Sequence, residues 1–170
     1  MIYLDNSATT RTLDIAADTA AQYMKADFFN PSAAYSAAVE VERNINSARA
    51  RLANAIHAQS DEIIYTSGGT ESNNTAIFGA LRARRGGGRI IVGATEHPSV
   101  YEAAMSMKGQ YAINEARVDK TGAYDVNMLA QSIANDVTFV SVMQVNNETG
   151  AINDIPAIYK AVKQRAPMAI

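Results

Sequence analysis

The sequence has no cysteine and no tryptophan, only two histidines and four prolines, and no charge of one dominant sign. Each absence removes a class of function. Without cysteine there is no disulfide, no thiolate metal ligand and no thiol nucleophile within this chain. His57 and His97 alone do not make a histidine-rich metal centre, so no metal site is expected. Fifteen Lys and Arg against 17 Asp and Glu leave a formal net charge of −2, which is not the basic face of a nucleic-acid binder. The nearest basic cluster, Arg82, Arg84, Arg85 and Arg89, flanks Gly86-Gly87-Gly88 and reads as helix-end complementation followed by a loop. No apolar run approaches membrane-spanning length, and the opening Met1-Ile2-Tyr3-Leu4-Asp5 shows no basic-then-apolar leader. The expectation is a soluble, cytoplasmic protein with neither nucleic acid nor membrane as partner.

What the chain does have is core. Its 170 residues are 48% hydrophobic, enough to bury the interior of one domain. Thr12 is placed to cap a first helix with Leu13, Ala16, Ala17, Ala20 and Met24 on one face. A second helix from about Ser32 carries Ala38, Val41, Ile45, Ala48, Leu52 and Ile56 at helical spacing, with His57 as its C-terminal cap. Short apolar strands then alternate with helices. Strands are predicted at 62–66, 89–93, 111–116 and 137–142, and the start of another at 168–170. Helices are predicted over 70–84, from Pro98, over 125–135 and over 155–164. That alternation specifies an α/β fold with a mostly parallel sheet covered by helices on both faces.

In such a sheet, ligands gather at the C-terminal ends of the strands. Three polar segments fall there: Ser67-Gly68-Gly69-Thr70, Thr95-Glu96-His97-Pro98, and Gln144 to Gly150. The first joins a predicted strand to a helix through two glycines, so backbone N–H groups and the positive end of the helix dipole face whatever approaches. It is neither a Walker loop nor the spaced-glycine dinucleotide turn. Two readings fit it: a phosphate cradle, or a plain helix cap in which Ser67 or Thr70 covers the free N–H groups. His97 before Pro98 likewise reads either as a rim-facing ring or as a helix cap. Asn146-Asn147 is equally compatible with a turn pair in left-handed geometry.

The motifs resemble, in order and spacing, the N-terminal half of NifS/IscS-type cysteine desulfurases, in the class V aminotransferase branch of the fold-type I pyridoxal-phosphate enzymes. The resemblance rests on Tyr3-Leu4-Asp5-Asn6-Ser7-Ala8-Thr9-Thr10, Asn30-Pro31-Ser32, Thr66 to Asn74, Thr95 to Val100 and Val145 to Gly150. It implies that residues 1–12 belong to a small domain and 13–170 to an incomplete large domain that binds pyridoxal 5'-phosphate. Gly69 and Thr70 would hold its phosphate, His97 would stack on its ring and shuttle protons, and Asn147 would lie near its phenolic oxygen. It further implies L-cysteine as substrate, a sulfur-acceptor or iron–sulfur scaffold protein as partner, and a homodimer. A selenocysteine lyase, another class V aminotransferase-like enzyme and a non-catalytic phosphate-binding module are the alternatives.

The chain also departs from the pattern. The family usually has Gly before Asn30 and His where Tyr35 stands. The family's cofactor-bonding lysine, substrate-binding arginine and persulfide-forming cysteine are not in this sequence. Lys25, Lys108, Lys120, Lys160 and Lys163 all read as solvated surface, so the chain is expected to be inactive alone, with room for a complementary C-terminal fragment.

Overall fold

The computed structural model describes residues 2–84 and 86–170; Met1 and Arg85 of the basic cluster lie outside the described residues. The chain divides into two compact units, Met1–Tyr65 and Thr66–Ile170.

In the first unit, α1 spans Asp14–Lys25 and α2 spans Ser36–Ala55. Thr12 does not cap α1: Leu13 occupies the N-cap with no side-chain hydrogen bond, and Arg11 pairs with Asp14 at 2.6 Å instead. None of α1's residues is buried. Helix α2 starts four residues later than Ser32 and buries Ala38, Val41 and Ala53, whereas Leu52 and Ile56 of its predicted apolar face stay exposed. Its end is as read: His57 adopts a positive φ of 55°, and the Ala58 N–H closes back on the Ala53 carbonyl at 2.9 Å, a left-handed C-terminal cap.

The predicted strand at 62–66 does not form. Ser60–Glu62 is a single 3-10 turn and Ile64 and Tyr65 are largely exposed. A strand exists only by pairing, and no described strand pairs with this segment. Its apolar composition alone could not supply a partner.

The second unit holds a three-stranded parallel sheet in the order β2-β1-β3, built from β1 (Arg89–Gly93), β2 (Ala112–Ala116) and β3 (Val137–Ser141). Strand β1 is central and apolar because both of its faces are covered. Ile91 packs with Leu129, Ile133, Ile158 and Val162, from α5 (Val126–Ser132), its C-terminal flank and α6 (Ile155–Arg165). Ile90 and Val92 point the other way, into Ile77, Leu81, Ala103 and Ala104 of α3 (Gly69–Ala83) and α4 (Pro98–Met105). Ile90, Ile91 and Val92 are fully buried, each worth about 1.5–3 kcal/mol of transfer free energy. The predicted helices on both faces of a parallel sheet are therefore present, and the loops that follow β1 and β3 leave from the C-terminal edge of the sheet. Beyond β3, the Ile170 N–H donates to the Thr138 carbonyl at 3.0 Å and the Ile170 carbonyl accepts from the Val140 N–H at 2.8 Å. The predicted strand at 168–170 is thus represented by backbone pairing at its last residue. Among the described residues, no helix is long and apolar enough to cross a membrane.

Candidate functional site

Helix α3 begins at Gly69 with Gly68 as N-cap and no side-chain cap. The Thr66, Ser67 and Ser72 hydroxyls are engaged elsewhere, and that of Thr70 makes no cap bond. The Thr66 and Ser72 hydroxyls lie 2.6 Å apart, and each donates to the Gly68 carbonyl at 3.2 Å. Ser67 donates its N–H and its hydroxyl to one oxygen of Glu71, at 2.7 and 2.5 Å. Those donors, the hydroxyl first, hold the Glu71 carboxyl below the usual carboxylate range. Consequently the N–H groups of Gly69, Thr70 and Glu71 meet no acceptor among the described residues. Nothing lies within 4 Å of where a Cβ on Gly69 would sit. The plain-cap reading of this turn is therefore not what the structure shows: the helix end is open, exposed and electropositive.

Four residues past the end of β1, His97 is the N-cap of α4, with Pro98 at the first helical position. Its Nδ1 accepts the Ser99 N–H at 3.1 Å and lies 2.7 Å from the Ser99 hydroxyl. Because Nδ1 is an acceptor here, the proton of the neutral ring is assigned to Nε2. The cap reading and the rim reading of His97 hold together: one nitrogen anchors the ring and the exposed remainder is free. Ser99 also ties this helix start to α3, accepting from Asn73 Nδ2 through its hydroxyl at 2.8 Å and from Asn74 Nδ2 through its carbonyl at 3.4 Å. The Gly69-Thr70 turn and His97 are thereby held on adjoining helix ends.

The third loop is a small hairpin. Val145 and Ile152 bridge antiparallel, the Asn146 N–H donates to the Ala151 carbonyl, and the Gly150 N–H returns to the Asn146 carbonyl, both at 2.9 Å. The left-handed residue that turns it is Gly150, at φ +73°, not Asn146 or Asn147, which corrects the turn-pair reading. Asn147 lies on this turn, exposed. Asn146 is buried at 5% exposure and reaches the second loop through its Nδ2, which donates to the Thr95 carbonyl at 2.9 Å.

Sequence reasoning missed the supports of this rim. Tyr124 is buried with its hydroxyl 3.3 Å from that of Thr95, and burial pushes its phenol up. Its N–H donates to Asn153 Oδ1 at 2.9 Å, while Asn153 Nδ2 donates to the Met143 carbonyl at 2.8 Å. Glu96 is half-buried and accepts the Ser141 hydroxyl at 3.1 Å. Burial raises its carboxyl, against the opposing pull of Ser141 and His97. Only Glu96 belonged to a motif; for Tyr124 and Asn153 no local signal marks burial. Lys163, read as solvated, instead donates to the Ala169 carbonyl at 2.6 Å and the Pro167 carbonyl at 3.2 Å.

A family model described as class-V aminotransferase matches residues 2–170. The chain is 37% identical over 165 residues to a cysteine desulfurase IscS of Methanosarcina thermophila, covering 96% of this chain and 41% of that protein. Among solved structures, a NifS-like protein superposes with a TM-score of 0.92 at 28% identity, covering 99% of this chain and 47% of the other. The structure of SspA in complex with cysteine follows at a TM-score of 0.86 and 26% identity, covering 95% of this chain and 47% of that one. The chain thus spans less than half the length of the proteins it matches.

Proposed function

The chain belongs to the class-V aminotransferase family, and on that premise we propose that it is the N-terminal part of a pyridoxal-phosphate-dependent cysteine desulfurase. The observation that carries this reading is the open start of α3 beside the anchored His97. Three N–H groups with no acceptor among the described residues, the Thr70 hydroxyl and empty space at Gly69 suit a phosphate dianion, and an exposed imidazole on the adjoining helix end suits a flat ring. In this reading Gly69 and Thr70 hold the phosphate, His97 covers the ring, and Asn147 orients the ring's polar edge. Residues 1–12 belong to the small domain and 13–170 to the large one.

When bound, the cofactor supplies the electron sink for the substrate's carbon skeleton. The chain's own residues orient it and manage protons. His97 Nε2–H, pinned by the Ser99 bonds to Nδ1, is the atom through which a proton is exchanged with the reacting molecule. In the overall reaction the carbon–sulfur bond of L-cysteine breaks, sulfur joins a protein thiol as a persulfide, and L-alanine leaves. The receiving thiol lies outside this sequence, which has no cysteine, so this chain alone binds without turning over. The persulfide then passes to an acceptor or iron–sulfur scaffold protein in the cytoplasm, with the enzyme acting as a homodimer.

Two measurements test the proposal. The chain is titrated with pyridoxal 5'-phosphate and, separately, with pyridoxal, while the amide signals of Gly69 to Glu71 are followed. The phosphorylated compound is expected to shift them at far lower concentration, and equal affinities overturn the site. The full-length protein is then given L-cysteine: stoichiometric alanine and protein persulfide support a desulfurase, whereas amino transfer to an oxo acid without alanine replaces it with a class V aminotransferase.

A further inference from the structure

The buried side chain of Asn146 uses both ends of its carboxamide, and the two ends serve different loops. Nδ2 donates to the Thr95 carbonyl, 51 residues away in sequence, at 2.9 Å. Oδ1 accepts from the N–H groups of Glu148 and Thr149 at 2.9 and 2.8 Å, and from the Thr149 hydroxyl at 3.2 Å. Turning the amide over would set its oxygen against the Thr95 carbonyl and its NH2 against two N–H donors, so the network admits one orientation. Thr95 stands two residues before His97, and Asn146 directly precedes Asn147.

We infer that Asn146 is a positioning residue that sets His97 and Asn147 at a fixed separation, so that two groups on separate loops meet one ligand together; this rests on the roles proposed above for His97 and Asn147. No other side chain reproduces the arrangement. Aspartate keeps the acceptor but has no donor for Thr95, alanine has neither, and glutamine is one methylene longer than the span these bonds fix. The Asn146 side chain is buried and its bonds are at least partly shielded, so a lost partner is not replaced by water without cost. Tyr124 and Glu96 also join these segments, through Thr95 and Asn153 and through Ser141, whereas Asn146 bonds the two loops directly, beside His97 and Asn147, and loop backbone is otherwise the least constrained part of an α/β fold.

The test uses nuclear magnetic resonance of this chain, which has only two histidines. His57 lies in the other compact unit and serves as an internal reference for His97. In Asn146→Asp the amides of Thr95, Glu96 and His97 and the His97 ring are expected to shift; the Glu148 and Thr149 amides, which keep an acceptor, are expected to remain slow to exchange, and the His57 ring to stay in place. In Asn146→Ala both loops are expected to shift. For the ligand, Asn146→Asp is expected to weaken pyridoxal 5'-phosphate several-fold while leaving inorganic phosphate, which needs only the α3 start, unchanged. A merely structural role would not separate the two probes.

Unmoved Thr95 to His97 signals in Asn146→Asp overturn the inference, as does an equal loss for both probes. Should the variants fail to fold, the unmodified chain decides. Its Asn146 carboxamide protons are expected to be resolved and slow to exchange, and fast exchange refutes the clamp. If pyridoxal 5'-phosphate binds the unmodified chain no better than phosphate, the cofactor reading fails, and the amide shifts still judge the clamp separately.

Discussion

Gly93 ends β1 where the chain turns toward His97, and a methyl group there has no room. A Cβ on Gly93 would lie 2.0 Å from the Tyr124 hydroxyl oxygen, 2.9 Å from Cζ of the same ring and 3.3 Å from Cγ of Glu96. The ring cannot slide freely, because Tyr124 is 7% exposed and its backbone N–H is fixed to Asn153. Forcing one methyl into a packed site costs about 1–3 kcal/mol. Pushing the Tyr124 hydroxyl off Thr95 adds about 1 kcal/mol for a buried polar contact. Gly93→Ala is therefore expected to lose about 2–4 kcal/mol in urea denaturation followed by circular dichroism. Tyr124→Phe removes the clashing oxygen and leaves the 2.9 Å approach to Cζ and the 3.3 Å approach to Glu96 Cγ. In that background the cost of Gly93→Ala should fall by at least about 1 kcal/mol, a coupling typical of residues in contact. A single-variant cost within about 0.5 kcal/mol of the unmodified chain, or strictly additive effects, would refute the steric account.

Thr70→Val keeps the shape of α3's first turn and removes one donor, so pyridoxal 5'-phosphate affinity should fall about 5–10-fold, close to 1 kcal/mol, with pyridoxal unaffected in the same fluorescence titration. Glu96 gives a pH signature. Its carboxyl is raised chiefly by burial, so the folded state binds the proton more tightly than the unfolded one. Stability should decline as pH rises from the ordinary glutamate pKa through the raised folded value, then level off. Glu96→Gln should flatten that decline in melts run from acid to neutral pH, and an unchanged slope would assign it to other groups. Finally, the open groove of about 600 Å³ between β3 and α6 presents Val140, Val142, Ile155 and Met168. Surfaces of this kind associate, so light scattering of the isolated chain should show mass rising with concentration, and a monomer throughout would count against it.

Much of this protein was determined by sequence alone, because the signals involved are local. The alternation of short apolar strands with helices predicts a strand at 89–93 in a sheet covered on both faces, and β1 has those bounds. The helix predicted over 125–135 is present as Val126–Ser132, with Asp125 just outside it as a cap for the Asn127 and Met128 N–H groups. Pro98 fixes the start of α4 and with it the place of His97. The tertiary structure decided what depends on partners distant in the chain. Residues 62–66 have strand composition but pair with no described strand, since a ladder needs an edge and composition cannot provide one. The α3 start was open to two readings until Glu71 and Ser72 were seen to occupy the neighbouring hydroxyls. Asn146 and Asn147 are alike as sequence, yet one is buried between two loops and the other stands exposed on the rim. Burial of a polar side chain depends on which distant groups complete its hydrogen bonds, and that pairing is set only when the loops meet.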